Sequence, residues 1–189
     1  MPKLDDQMKV AIVKMPATEK DKLLLRLIAK DEKLVQRLIF ELLEGGATCD
    51  ARAAALKSQI QESLQQGREY HLSPGLLLMY LRNWNARIAE HVQATKDKSG
   101  EVSLTLFMLA EAFRIHRSML DGFSDFRSDT LAPYVVKRTK TILGKAQKLH
   151  EDYYIEFRRD VQELLQQIWS FRPTANYAKK EGLPKSWDY

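Results

Sequence analysis

The longest hydrophobic pattern in this sequence runs through its C-terminal half. Between Ser128 and Phe171, apolar residues recur in steps of three and four, which is the spacing of one face of an α-helix. This spacing predicts one long amphipathic helix of about forty residues, roughly 60 Å in length. Gly144 falls on its polar side, and a kink there would give two collinear helices instead. The apolar stripe comprises Leu131, Val135, Ile142, Ala146, Leu149, Tyr153, Phe157, Val161, Leu164, Ile168 and Phe171.

The N-terminal part of the chain contains a short duplication. The segments KLLLRLI and KLVQRLI begin at Lys22 and Lys33, after a first predicted helix that ends before Pro16. The two copies would lie on one face of a single helix, but Asp31 is a good N-cap and favours two short helices stacked side by side. Leucines occupy most of the circumference of the first copy, which predicts burial between neighbouring helices.

Three further helices are predicted between the duplication and the C-terminal half. Residues 51–66 form a peripheral helix that ends at Gly67, and Ser73 with Pro74 begins the next one. Residues 101–120 are apolar nearly all round, which predicts a helix in the centre of the fold.

Together these segments predict an all-α protein without strands. We expect a single-domain bundle of about seven helices over residues 1–171, with a C-terminal tail, residues 172–189, that docks on it through aromatic side chains. The alternative is a HEAT-like α-solenoid, although no motif repeats at the period of about forty residues that such a fold requires.

Composition limits the class of protein. The chain is 44% hydrophobic and 29% charged, the balance of an ordinary globular protein. Its apolar runs are too short to cross a bilayer, and its first residues lack the features of a secretory signal. With Cys49 as its one cysteine, it forms no internal disulfide and no multi-thiolate metal site. We therefore expect a cytoplasmic protein that does not associate with membranes.

The search for catalytic chemistry is mostly negative. None of the histidines, which are His71, His91, His116 and His150, follows a glutamate by three residues, as a di-iron bundle requires. We therefore predict no cofactor and no catalytic residue, and we interpret His91 as a histidine at the edge of the core. One metal hypothesis stays open, in which carboxylates on helical turns bind Mg²⁺ for nucleotide hydrolysis. Its candidate ligands are Glu41, Glu44, Asp160 and Glu163.

Two groups of basic residues are candidate anion-binding sites in a chain with a formal net charge of +5. The first is a basic face on the predicted long helix that could follow a phosphate backbone, although lysines are also usual on a solvated helix face. It comprises Lys137, Arg138, Lys140, Lys145 and Lys148. The second is a corner at the end of the preceding helix, where cations also complement the helix dipole. It comprises Arg114, His116 and Arg117.

The function that these observations favour is a non-catalytic helical protein-interaction or scaffolding domain. Its expected partner is another protein or a second copy of the chain, because helix surfaces commonly bind other helices and peptides. The alternative is a nucleic-acid-binding module that uses the basic face. A Mg²⁺-dependent all-α nucleotide hydrolase is the third hypothesis.

Overall fold

The computed structural model describes residues 4–70 and 72–188, so that residues 1–3, His71 and Tyr189 lie outside the description. These described residues form nine α-helices and no strand, which confirms the all-α class. Short π-helical and 3-10 segments cover Ile39–Leu43 and Asp125–Ser128. The helices are α1 (Asp6–Lys14), α2 (Ala17–Ile28), α3 (Glu32–Leu38), α4 (Cys49–Glu69), α5 (Pro74–Thr95), α6 (Lys98–Asp121), α7 (Leu131–Ala146), α8 (Asp152–Ser170) and α9 (Arg172–Glu181).

Local sequence signals set several of these boundaries. The Asp31 carboxylate accepts hydrogen bonds from the backbone of Lys33 and Leu34, so the duplicated segment divides into α2 and α3 as predicted. Ser73 caps α5, and Pro74 is its first residue, which confirms that predicted start. The predicted stop at Gly67 is wrong, because α4 continues to Glu69.

The helices pack around α6, which contacts α4, α5, α7 and α8. Helix α3 packs against α5, and α9 packs against α7 and α8. Ten residues of α6 are buried, which confirms its predicted place in the centre. The choice between a bundle and a solenoid stays a prediction.

The prediction of one long C-terminal helix is wrong. The chain turns at residues 147–151 and not at Gly144, and it forms α7 and α8. Lys145 at the end of α7 contacts Glu101 at the start of α6, whereas Ser170 at the end of α8 contacts Arg117 near the end of α6. The two helices therefore run in opposite directions along α6. A single helix of forty residues would extend far beyond α6, which has 24 residues. Reversal of the chain lets both halves of the apolar stripe pack against it.

The predicted burial of the first leucine-rich copy is also wrong. None of α1, α2 and α3 contains a buried residue, and Leu24, Leu25 and Leu27 are each more than half exposed. The physical reason is the lack of packing partners at this end: α2 contacts α3, and α3 in turn packs against α5.

The C-terminal segment packs against the preceding two helices. Helix α9 contacts both α7 and α8, and the side chains of Leu183 and Trp187 after it are buried. No helix of the described residues is both long enough and apolar enough to span a membrane.

Candidate functional site

Three side chains of different chemistry meet where the start of α4, the end of α5 and the start of α6 converge. Cys49 is the first residue of α4, His91 lies in the last turn of α5, and Asp97 is the N-cap of α6. The Sγ of Cys49 donates a hydrogen bond to Oδ2 of Asp97 at 3.4 Å, and Nε2 of His91 lies 3.6 Å from the same oxygen. One potential ligand atom from each residue lies within 4.8 Å of the other two. We refer to these three residues as the Cys49 cluster.

A very short connection between α5 and α6 brings His91 and Asp97 together. Lys96 ends α5 in the left-handed conformation with φ of +62°, and Asp97 then caps α6 directly. The Oγ1 of Thr95 donates to the carbonyl of His91 at 2.8 Å and accepts from the backbone N–H of Asp97 at 3.2 Å. These bonds fix the turn, and with it the position of the carboxylate relative to the imidazole.

The two oxygens of Asp97 have different partners. Oδ1 accepts hydrogen bonds from the backbone N–H of Gly100 at 2.7 Å and from the hydroxyl of Ser99 at 2.8 Å. Burial acts to raise the pKa of Asp97, but these hydrogen bonds outweigh it, so the pKa is lowered and the group is a carboxylate at neutral pH. Gly100 is required for this arrangement, because a Cβ at that position would overlap with the carboxylate. Oδ2 is left facing Cys49 and His91.

Protonation of the other two residues follows from their burial. The His91 side chain is 3% exposed, and its Nε2 has no hydrogen-bond partner among the described residues. Burial lowers the pKa of His91 although Asp97 acts to raise it, so the imidazole is neutral at neutral pH. Burial, together with the hydrogen bond to Asp97, raises the pKa of the Cys49 thiol. A protonated thiol next to a carboxylate is a poor nucleophile.

A cleft gives small molecules access to the cluster. It has a volume of about 280 Å³, and Cys49 and Asp97 form part of its wall together with Gly100 from α6 and Tyr153 and Phe157 from α8. The thiol and the carboxylate are therefore within reach of an ion that enters from this cleft.

Residues of the predicted basic face are largely occupied by acidic partners. The Nζ of Lys145 lies 2.5 Å from Oε1 of Glu101, and Arg138 lies 3.6 Å from the same carboxylate. Lys140 donates to the carbonyl of Glu181 at 2.6 Å and lies 3.6 Å from its carboxylate. Much of the charge is therefore used to connect α7 to α6 and α9.

The other two residues of the predicted basic face lie apart from these pairs. The Nζ of Lys137 lies 5.8 Å from the ring centre of Tyr177 in α9. Lys148 lies beyond the end of α7, in the turn to α8. The structure therefore places four of the five residues on α7 and the fifth outside it.

The predicted corner site is divided between two sides of α6. Arg114 forms a 2.6 Å ion pair with Glu111, and Arg117 forms a 2.9 Å ion pair with Asp121. His116 instead faces α4, where it is buried next to Gly67. The structure thus places the two arginines beside carboxylates and the histidine away from them.

The carboxylates proposed for Mg²⁺ have basic neighbours as well. Glu41 pairs with Arg37 at 2.7 Å, and Asp160 in α8 lies 3.7 Å from Arg159. Hydrogen bonds from Arg52 and Thr48 lower the pKa of Glu44 to about 2. Within residues 4–70 and 72–188, three or more potential metal ligands lie close together in the Cys49 cluster alone. That cluster contains none of the four carboxylates Glu41, Glu44, Asp160 and Glu163.

The sequence alone does not mark any member of the Cys49 cluster as functional. Cys49 and His91 are far apart in sequence and become neighbours only because α4 and α5 pack together. The available signal was Asp97 in the polar segment KDKSG, which is typical of a residue that caps a helix. That signal alone does not indicate a ligand.

A second feature is a group of exposed apolar side chains in the N-terminal segment. Of the fourteen large apolar side chains that are exposed among the described residues, nine lie within residues 4–43, and each of the nine is more than half exposed. We call this group the N-terminal apolar surface. It comprises Leu4, Met8, Val10, Val13, Leu24, Leu25, Leu27, Leu42 and Leu43.

No protein-family model, no curated protein and no solved structure matches this chain. Its function is therefore inferred from the contacts, burial and charges of the chain itself.

Proposed function

We propose that this chain is a helical protein-interaction domain that associates with a second copy of itself through the N-terminal apolar surface. The observation that supports this proposal is the concentration of exposed apolar side chains within residues 4–43, next to helices without a buried residue. Apolar side chains scattered singly on a surface are normal, but a concentrated group marks an interaction site.

Helix α2 has the pattern of a helix that binds in a groove or against another helix. Leu23, Leu24, Leu27 and Ile28 fall within one arc of about 140° at 100° per residue. Leu25 and Arg26 project on the other side. Apolar anchors in adjacent turns are the usual means by which an amphipathic helix is recognised.

Charge balance favours a second copy as the partner. Residues 4–43 contain eight basic and seven acidic side chains, so that each segment has a net charge of only +1 and two of them repel each other little. A symmetric pair also covers the apolar surface of both copies at once, because a two-fold interface uses the same residues on each side. No partner of opposite charge is needed.

Sedimentation velocity of the full chain over a range of protein concentrations tests the proposal. The wild type is expected to sediment faster as its concentration rises, and a Leu24→Asp/Leu27→Asp variant is expected to stay monomeric because both side chains are exposed in one copy and would be buried in the pair. Leu76→Asp/Met79→Asp is the matched control, since this pair is also exposed and three residues apart, but lies on α5. A wild type that stays monomeric, or a Leu24/Leu27 variant that associates like the wild type, overturns the proposal.

A further inference from the structure

We propose that the Cys49 cluster binds a divalent transition-metal ion of the zinc class. Its three residues supply sulfur, nitrogen and oxygen ligand atoms, the set that such ions take in proteins. Because the three come from the junction of α4, α5 and α6, a bound ion would link three helices. The site is independent of the N-terminal apolar surface and involves none of its residues.

Distances within the cluster fit a tetrahedral ion. With metal–ligand bonds of about 2.0–2.3 Å, neighbouring ligand atoms in a tetrahedral zinc site lie about 3.3–3.6 Å apart. The Sγ of Cys49 and the Nε2 of His91 lie 3.4 and 3.6 Å from Oδ2 of Asp97. The remaining pair, Cys49 and His91, is within 4.8 Å. Two of the three distances therefore match a tetrahedral site directly.

The buried nitrogen of His91 also points to a ligand. Buried polar atoms nearly always have a hydrogen-bond partner, because an unsatisfied one costs about 1–3 kcal/mol. Nε2 of His91 is buried, and Oδ2 of Asp97, 3.6 Å away, lies just beyond hydrogen-bonding distance. A metal ion at this point would satisfy it.

The chemistry of the three groups selects the ion. A thiolate and an imidazole favour zinc and its neighbours over Mg²⁺ and Ca²⁺, which prefer oxygen ligands. On binding, the Sγ–H bond of Cys49 breaks, the sulfur retains the electron pair and bonds to the ion, and the proton passes to solvent without any redox change. Three protein ligands leave one tetrahedral position for water, which the adjacent cleft can supply.

Groups around the ligands hold them in place. Hydrogen bonds from Gly100 and Ser99 to Oδ1 of Asp97 orient its carboxylate so that Oδ2 stays available. Such outer contacts typically change metal affinity by about ten- to a hundredfold. Gly100→Ala places a methyl group on the carboxylate and is expected to weaken binding by about that factor.

Titration of the untagged, metal-free full chain with Co²⁺ and then Zn²⁺ tests the site. We expect one ion per chain, a thiolate-to-cobalt absorption band that Zn²⁺ abolishes, and close to one proton released in calorimetry. Cys49→Ser and His91→Asn are expected to lower the affinity by at least about a hundredfold, since each removes a ligand. Excess Mg²⁺ is expected not to compete.

His116→Asn is the matched control. His116 is also a buried histidine with an unpartnered Nε2, but it lies on α6 outside the cluster. Its variant is expected to keep wild-type metal affinity. Circular dichroism checks that each variant is folded. If His91→Asn fails to fold, the metal affinity of the nearly isosteric Cys49→Ser variant tests the proposal. A wild type without the thiolate band, or a Cys49→Ser variant with wild-type affinity, overturns the proposal.

Discussion

Buried histidines are the residues through which pH acts most directly on this protein. Burial lowers the pKa of His116, while a hydrogen bond with the backbone of Leu64 acts to raise it and the charge of Arg68 acts to lower it further. Unfolding exposes the imidazole and returns its pKa to about 6.5. As the pH falls through that value, the unfolded state takes up a proton more readily than the folded state does, and stability is lost.

We therefore predict that the free energy of unfolding falls more steeply with decreasing pH in the wild type than in His116→Asn. The contribution of one such proton reaches at most about 1.4 kcal/mol per pH unit below the unfolded pKa. Urea denaturation at several values between pH 7.5 and about 5 measures it. Equal pH dependence in both proteins would contradict the predicted role of His116.

The same buried groups show why the candidate site could not be predicted from the sequence. A histidine on the apolar face of a helix is usually a core residue, and that interpretation of His91 followed from its position next to Trp84. The structure adds what the sequence lacks, namely the proximity of Cys49 and Asp97 and the missing partner of Nε2. Ligands from three helices depend on how the helices pack, and helical periodicity carries no information about that.

At the scale of the helix, glycines provide a matched pair with opposite expected effects. Gly144 lies inside α7 with nothing within 4 Å of an added Cβ, whereas Gly182 ends α9 in the left-handed conformation with φ of +65°. Gly144→Ala is expected to stabilise the fold by about 0.5–1 kcal/mol through helix propensity. Gly182→Ala is expected to destabilise it by about 1–2 kcal/mol through backbone strain.

Urea denaturation of the wild type and of the two glycine variants measures both effects. The midpoint urea concentrations are compared provided that the free energy of unfolding depends on urea concentration with the same slope in all three proteins. A shift of both midpoints in one direction would contradict the assignment of one glycine to a helix interior and the other to a helix end.

Helix starts were predicted well where the side chain of an N-cap residue determines them. Ser73 with Pro74 and Asp31 are examples, because a cap is a contact between neighbours in sequence. The turn between α7 and α8 has no such signal. Within it, the backbone N–H of Leu149 donates to the carbonyl of Ala146 at 3.0 Å, and the hydroxyl of Tyr154 donates to the carbonyl of Gln147 at 2.7 Å. The chain reverses here because packing on α6 favours it, and that is a tertiary effect.

Over the whole molecule, burial is distributed unevenly between the two ends. The N-terminal helices α1 and α2 contribute no buried residue, whereas Leu183 and Trp187 near the C-terminus are 4% and 3% exposed. Trp187 also packs edge-on against the ring of Tyr154, with ring centres 6.3 Å apart. The two ends therefore have different roles: the C-terminal end completes the core, and the N-terminal end presents the apolar surface proposed for association.

Two truncations test this division. A chain that begins at Asp31 keeps the N-cap of α3 and is expected to unfold at nearly the same temperature as the wild type, because it loses no buried side chain of α1 or α2. A chain that ends at Gly182 loses two buried side chains and is expected to be destabilised by at least about 3–5 kcal/mol.

Thermal unfolding measures the stability of both truncated chains. It must be measured at protein concentrations where the wild type is monomeric, because association would stabilise the wild type by mass action. The N-terminal truncation is also expected to abolish concentration-dependent sedimentation. The C-terminal truncation removes no residue of the N-terminal apolar surface. If removal of residues 1–30 lowers the unfolding temperature as much as removal of residues 183–189, then α1 and α2 belong to the cooperative core. Their apolar side chains would in that case pack within one copy, and the proposed surface for a second copy would not exist.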